Sequence, residues 1–181
     1  VRLTTLLLLL ATCALAQGEH SYEELLDAVK RGDEGADCVS LRAAFARTDD
    51  YNPYGTYLDD LQMRARHAAA KPDSALAVAR VESLLHAAYP SLETQFWASY
   101  VFAALGDSAR ADLHMDVFFC LFDAAISTGS GSSPDSSITV IYTGEEYLIL
   151  QYMMGLEITD QAIMKANGHS FDRMGVRDPA T

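Results

Sequence analysis

The sequence has few basic residues and no second hydrophobic segment. Its 13 Lys and Arg residues stand against 25 Asp and Glu residues, which gives a formal net charge of −12. Binding to nucleic acid or to an anionic membrane surface needs clustered Lys and Arg, so the composition argues against both kinds of partner. After the first 16 residues, no run is long and uncharged enough to span a bilayer as a helix.

Sequence motifs for catalysis and for cofactor binding are also missing. Cys and His residues do not recur at metal-ligand spacing, no G-x-S-x-G nucleophile elbow occurs, and the glycine-rich segment lacks the Lys-Ser/Thr pair of a P-loop. We therefore expect no metal, no cofactor and no catalytic residue, and a binding function is favoured over an enzymatic one.

The start of the chain has the form of a signal peptide. A leucine-rich run over residues 3–15 is shorter than the roughly 20 apolar residues of a spanning helix. It ends in Ala14-Leu15-Ala16, which matches the A-x-A cleavage rule. We expect residues 1–16 to be cleaved before Gln17 and the protein to be exported, either periplasmic or secreted. Lipidation of Cys13 is the less favoured alternative, because threonine is a poor residue just before a lipidated cysteine.

Two cysteines follow this segment, Cys38 and Cys120. An oxidising compartment would allow them to pair. Each lies on an apolar helical stripe, however, where a free cysteine packs as a small hydrophobic side chain, and two cysteines do not make a disulfide framework. Free cysteines are the favoured prediction, and a disulfide is the alternative.

Residues 17–177 are predicted to form one α+β domain, followed by a tail over residues 178–181. Residues 21–126 show the apolar period of helices, and Ser21-Tyr22-Glu23-Glu24 is a capping box that starts the first helix. The segment 75–125 resembles a tetratricopeptide helix pair. Only about one and a half repeats are visible, so the flanking helices must complete the array.

A small antiparallel sheet is predicted at the C-terminal end of this helical body. The helix after Gly106-Asp107 is apolar nearly all round, which predicts a central buried helix. A loop of Gly, Ser, Thr, Pro and Asp covers residues 127–137. Residues 138–176 then contain a β-branched strand, a short helix over 145–154 and a hairpin around Asn167-Gly168, a dipeptide typical of two-residue turns.

Motifs spread in order over nearly all of residues 17–177 carry a family resemblance. They are Asp37-x-x-x-Leu41-Arg42 with Tyr51-Asn52-Pro53-Tyr54, then Thr128-Gly129-Ser130-Gly131, Glu145-Glu146-Tyr147 and Phe171-Asp172. Together they resemble a bacterial family of exported proteins, domain of unknown function 4919. The resemblance implies export and implies no activity. Ser130 stands where the family usually has Asp, which weakens any metal-binding or acid role for the loop.

These motifs supply the candidate residues for binding or for a structural junction: Arg42, Tyr51, Asn52, Tyr54, Gly129, Ser130, Gly131, Glu145, Glu146 and Tyr147. The glycine-rich loop is predicted to be a tight turn with glycine at positive φ, and an anion-binding nest is the alternative. Adjacent residues on a helix point about 100° apart, so the two glutamates are not expected to face one another. We expect one of them to pair with Arg42.

The favoured function is a protein- or peptide-binding or scaffold module of the cell envelope. Aromatic helical surfaces often bind peptides, although helical spacing favours a core position for the aromatic residues of one helix, Phe96, Trp97 and Tyr100. The alternative is a hydrolase or small-ligand-binding enzyme that uses the Gly/Ser loop with Glu145, Glu146 or His169. Loop serines bonded within their own turn would favour binding, whereas His169 and a carboxylate converging on a loop serine would favour the enzyme.

Overall fold

The computed structural model of the chain describes residues 4–10, 20–54, 57–69 and 74–180, with the backbone alone for residues 4–10, 68 and 69. These residues divide into two compact units. We call residues 20–121 the helical unit, and residues 4–10 together with 122–180 the sheet unit. The prediction of one domain over residues 17–177 stays a prediction.

Local capping signals define the ends of the helices. The helices that begin in the helical unit are α1 (Tyr22–Arg31), α2 (Cys38–Phe45), α3 (Tyr57–Ala69), α4 (Ser74–Ala88), α5 (Leu92–Ala104) and α6 (Ser108–Ile126). The predicted capping box is present, because Ser21 Oγ accepts from Glu24 N and Glu24 Oε2 accepts from Ser21 N. Gly32 ends α1 at a φ of 68°, and the Ser91 side chain caps α5.

The core of the helical unit comes from one face of each helix. Its fully buried side chains include Leu41, Leu84, Leu92, Phe102, Phe118 and Leu121. Helix α6, predicted to be the central buried helix, is buried along one stripe only, since Leu113 is 37% exposed and Phe119 is 47% exposed. The buried residues of α6 recur every three or four positions, as on a helix that packs along one stripe.

Cys38 and Cys120 form a disulfide, with their Cα atoms 6.0 Å apart. The favoured prediction of free cysteines is therefore wrong. Helical spacing describes which face a cysteine occupies, and both cysteines do lie on packed faces. It does not show that the first residue of α2 lies against α6, which is 82 residues further along the chain.

The sheet unit contains four described strands in the order β2-β1-β4-β3. They are β1 (Thr4–Leu10), β2 (Ile138–Val140), β3 (Glu157–Ala166) and β4 (His169–Arg177). Strands β3 and β4 form the predicted hairpin, in which Asn167 and Gly168 have φ values of 51° and 80°, as a type I′ turn requires. The prediction of an α+β fold with a C-terminal antiparallel pair is confirmed, and the likeness of the helices to tetratricopeptide repeats stays a prediction.

The structure differs from the predicted sheet in two ways. Strand β3 begins at Glu157, earlier than its apolar residues suggested. Cross-strand ion pairs support this polar half of the hairpin, since Arg177 binds Glu157 and Arg173 binds Asp160. The sheet is also mixed, because β1 runs parallel to β2 and antiparallel to β4. Strand β1 lies within the predicted signal peptide, whose cleavage stays a prediction.

A short helix, α7 (Thr143–Tyr147), follows β2 and continues as a π-helical segment over Leu148–Met153. Its buried side chains, including Ile149 and Leu150, belong to the core of the sheet unit together with Ile138 and Met174. Among the described helices of the whole chain, none combines the length and the apolar character that a membrane crossing requires.

Candidate functional site

The Gly/Ser loop is a tight turn whose polar groups bind one another. Gly131 has a φ of 70° and its N–H donates to Ser136 O at 2.7 Å. A Cβ atom on Gly129 would overlap the backbone carbonyl group of Ser136. The hydroxyls of Ser130 and Ser132 lie 2.7 Å apart, and both are within 3.3 Å of Ser136 Oγ. Glycine is therefore required at position 131 by positive φ, as predicted, and at position 129 by close backbone approach, which was not predicted.

Side chains at both ends of the loop fix it to neighbouring elements of the sheet unit. Thr128 Oγ1 donates to Ala125 O and accepts from Thr139 N, both at 2.7 Å, so it joins the end of α6 to β2. Asp135 Oδ1 accepts from Asn167 Nδ2 at 2.7 Å, which joins the loop to the hairpin turn. The loop is thus a connection within the sheet unit.

Glu145 and Glu146 are both fully buried, and they face different groups. Glu145 Oε2 accepts from Ile141 N at 3.0 Å, a bond that closes the turn before α7. Glu146 faces Asp172 of β4, and among the described residues no hydrogen-bond donor reaches either of its carboxyl oxygens. The two side chains diverge, as expected for neighbours on a helix.

The environment of Glu146 favours its protonated form. Burial is the largest cause and the charge of Asp172 is the second, and together they raise the pKa of Glu146 to about 8. Two carboxylates bring acceptors only. A proton on Glu146 lets it donate to Asp172, which satisfies the pair. The sequence missed this pair because its members are 26 residues apart and lie on different elements.

Tyr147 connects α7 to β3. Its hydroxyl donates to Gln161 Oε1 at 2.7 Å, while the ring is 39% exposed. This predicted site residue therefore has a structural contact within the sheet unit.

His169 and Asp172 do not form the histidine–carboxylate pair of a serine hydrolase. Side chains alternate along a strand, so these two residues, three positions apart in β4, point to opposite faces. His169 lies on the face of Phe171, with the two ring centroids 6.5 Å apart. Among the described residues, His169 and Asp172 therefore do not converge on a loop serine.

The N-terminal motif residues lie in the helical unit. Arg42 is 5% exposed and its Nη1 donates to Pro90 O at 3.3 Å. Asn52 Oδ1 accepts from Tyr54 N, which closes a turn, and Tyr51 packs edge-on against Phe45. Tyr54 is 73% exposed. The pairing of Arg42 with one of the two glutamates stays a prediction.

An aromatic surface lies on α3 and α5 of the helical unit. We define it by Met63 and Arg66 of α3 and by Phe96, Trp97 and Tyr100 of α5. The Arg66 guanidinium lies 4.4 Å from the centroid of the Trp97 ring, and Tyr100 packs edge-on against the same ring at 5.6 Å. Met63 is 52% exposed and Tyr100 is 55% exposed.

The prediction that these aromatic residues are core is wrong for Tyr100, and Phe96 and Trp97 are only half-buried. The buried face of α5 is formed instead by Leu92, Gln95, Ala98 and Phe102. Because α5 is apolar nearly all round, its period could not show which face packs inward. Polarity would not have identified the inner face either, since the polar Gln95 lies on it, fully buried and bonded.

Gln95 belongs to a polar network that the sequence did not reveal. Its Nε2 donates to Tyr89 O at 2.6 Å, and its Oε1 lies 2.7 Å from His114 Nδ1. The His114 ring is 5% exposed and stacks on Phe102. Burial, followed by the charge of Arg110, lowers the pKa of His114 to about 4. His114 is therefore a neutral structural residue, with Nδ1 as the hydrogen-bond donor.

Within the described residues, no group of three or more His, Cys, Asp or Glu side chains is placed to hold a metal ion. With the fold and these contacts established, comparison with known families decides the classification. The model of the family "Domain of unknown function (DUF4919)" matches residues 16–179. The chain belongs to this family. No curated protein and no solved structure matches the chain.

Proposed function

We propose that this DUF4919 protein is an exported interaction module whose helical unit binds a protein or peptide through the aromatic surface. The exposure of this surface carries the proposal: Trp97 and Tyr100 lie outside the buried face of α5, and Met63 of α3 is exposed as well. Tyrosine, tryptophan and arginine are the residues that contribute most to binding energy at protein interfaces. Methionine adds an adaptable apolar contact.

The disulfide between Cys38 and Cys120 supports the location that we propose. Disulfides persist in the periplasm and outside the cell, whereas cytosolic thiols are kept reduced. Together with the signal-peptide form of residues 1–16, it supports export to an oxidising compartment. A scaffold role in the cell envelope is part of the same proposal.

Site-specific photo-crosslinking tests the proposed surface. A photoreactive phenylalanine analogue replaces Tyr100 in the full chain and, as a matched control, replaces Tyr152 of the sheet unit, which is 74% exposed. We expect a partner to be cross-linked from position 100 and not from position 152. Equal capture at both positions, or capture at neither, would contradict the proposal.

The partner identified in this way is then titrated against the wild-type protein and Tyr100→Ala. Loss of an aromatic hot spot weakens binding by roughly thirtyfold when about 2 kcal/mol is lost. The control variant is Tyr54→Ala, another exposed tyrosine of the same unit. A partner whose affinity falls equally in both variants does not bind through the aromatic surface.

A small-ligand-binding or hydrolytic role is the second candidate, and one observation favours it. Glu146 is a buried carboxyl that is kept protonated beside Asp172, an arrangement that suits general acid catalysis. Hydrolysis of ester or peptide substrates by the wild-type protein, abolished in Glu146→Gln, would support it. Equal hydrolysis rates in the two proteins would exclude a catalytic role for Glu146.

A further inference from the structure

Strand β1 occupies an inner position of the sheet. Its residues pair with β2 on one side, where Leu8 lies opposite Ile138, and with β4 on the other, where Leu8 lies opposite Asp172. The same residues, 4–10, fall within the segment that the sequence predicts to be removed on export. Removal of this segment leaves a strand position between β2 and β4.

That position is bordered by two strand edges. Neighbouring strands lie about 4.8 Å apart, so β2 and β4 flank a space that is one strand wide. The backbone N–H and C=O groups of both edges point to it, and an extended segment that enters it pairs on both sides. Exposed strand edges recruit extended peptides in this way.

Two carboxyl groups, those of Asp172 and Glu146, lie beside this position. Residues directly opposite in an antiparallel pair lie on the same face, so the residue at the register of Leu8 is the neighbour of Asp172. Glu146 lies buried beside Asp172, and no hydrogen-bond donor among the described residues reaches its carboxyl group. A lysine or arginine at this register position would pair with the Asp172 carboxylate.

We propose that, after removal of residues 1–16, the position between β2 and β4 accepts an extended segment of another polypeptide, with a basic residue beside Asp172 and apolar residues around it. The segment runs parallel to β2 and antiparallel to β4, in the register that residues 4–10 show. This site lies in the sheet unit and does not depend on the aromatic surface.

The test begins with the protein as its own cells export it. Intact-mass measurement is expected to show a chain that starts at Gln17. An exported protein that retains residues 4–10 would overturn the proposal, because β1 would then be a permanent strand.

The binding measurement uses the full chain with a specific protease site inserted between Ala16 and Gln17, cleaved after folding. The probes are fluorescent peptides of residues 4–10 that carry Leu8→Lys or Leu8→Glu and share one neutral solubilising tail. We expect the Lys peptide to bind the cleaved protein roughly tenfold more tightly than the Glu peptide, since opposite charges across a strand pair stabilise it and like charges destabilise it. The uncleaved protein is the control, because its own β1 fills the position.

Two further readouts place the peptide. Bound Lys peptide is expected to slow hydrogen exchange at the amides of β2 and β4, and Asp172→Asn is expected to bring the two peptide affinities close together. Equal affinities in the unmodified protein, or binding without protection of β2 and β4, would overturn the proposal. Tyr100→Ala is expected to leave peptide binding unchanged. The proposal for the position between β2 and β4 can therefore fail or hold independently of the proposal for the aromatic surface.

Discussion

Glu146 shows how a single buried carboxyl sets the pH response of its unit. Its pKa in the folded protein is about 8, against an ordinary value of 4.5 for a glutamate side chain. The folded state therefore binds more protons than the unfolded state between these values. The stability that Glu146 provides is complete below about pH 4.5 and is lost as the pH rises towards 8.

Glu146→Gln removes this titration and keeps a group that donates a hydrogen bond to Asp172. We expect the variant to be more stable than the wild type near pH 8, by an amount on the order of 4 kcal/mol, and the difference to shrink towards pH 5. Urea unfolding of both proteins across this range measures it. A difference that is the same at pH 5 and pH 8 would show that ionisation of Glu146 is not the cause.

His114 gives the helical unit a pH dependence of stability that is opposite in sign. Its pKa is about 4 in the folded protein, against an ordinary value of 6.5 for histidine, so the unfolded state binds more protons between these two pH values. The contribution is present above about pH 6.5 and is lost as the pH falls towards 4. As the pH falls across this window, we expect the protonation of His114 to lower the unfolding free energy by an amount on the order of 3 kcal/mol.

His114→Asn is the matched variant, because its amide N–H₂ replaces the Nδ1 donor that faces Gln95 and does not titrate. The variant is expected to be less stable than the wild type at pH 7, since the smaller side chain leaves a cavity. Its unfolding free energy is expected to fall less steeply between pH 6.5 and pH 4. Parallel curves for the two proteins would assign the acid response to other groups.

Among the elements, the Gly/Ser loop depends more on its glycines than on its serines. Gly129→Ala places a Cβ atom against the Ser136 carbonyl group, and we expect a loss of about 1 to 3 kcal/mol of stability. Ser132→Ala removes only an exposed hydroxyl and is expected to change stability by less than about 0.5 kcal/mol. Thermal unfolding of the two variants compares them. Equal losses would mean that the serine hydrogen bonds, and not close backbone approach, hold the loop.

Elements with a local signal could be predicted from the sequence. The capping box at Ser21, the stop at Gly32 and the Asn167-Gly168 turn each depend on residues within a few positions of one another. The polar start of β3 could not be predicted in this way, because its support comes from Arg173 and Arg177 across the hairpin.

The parts of the candidate site that the sequence missed are pairs between distant elements. The charge of Asp172 helps to raise the pKa of Glu146, and Gln95 provides the hydrogen-bond partner of His114. The aromatic residues of α5 were misplaced for a related reason: an all-round apolar helix carries no period that tells its inner face from its outer one. Only the packed structure distinguishes Phe102 from Tyr100.

At the scale of the whole molecule, the disulfide constrains the helical unit over the longest stretch of chain. Cys38 and Cys120 are 82 residues apart, and closing so long a loop in the unfolded state removes much of its conformational entropy. In the chain-entropy model such a crosslink stabilises the folded state by about 4.5 kcal/mol. That is a large part of the roughly 5 to 15 kcal/mol by which domains are stable.

We expect reduction to lower the unfolding temperature of the helical unit sharply, and the double variant Cys38→Ser with Cys120→Ser to unfold at the same lower temperature with or without reductant. Calorimetry of the oxidised and reduced wild type measures the loss, and thiol labelling of the denatured protein counts free cysteines. Two free thiols in protein recovered from the exported fraction would contradict the disulfide. A reduced protein that unfolds at the oxidised temperature would instead show that α2 and α6 are held together by packing alone.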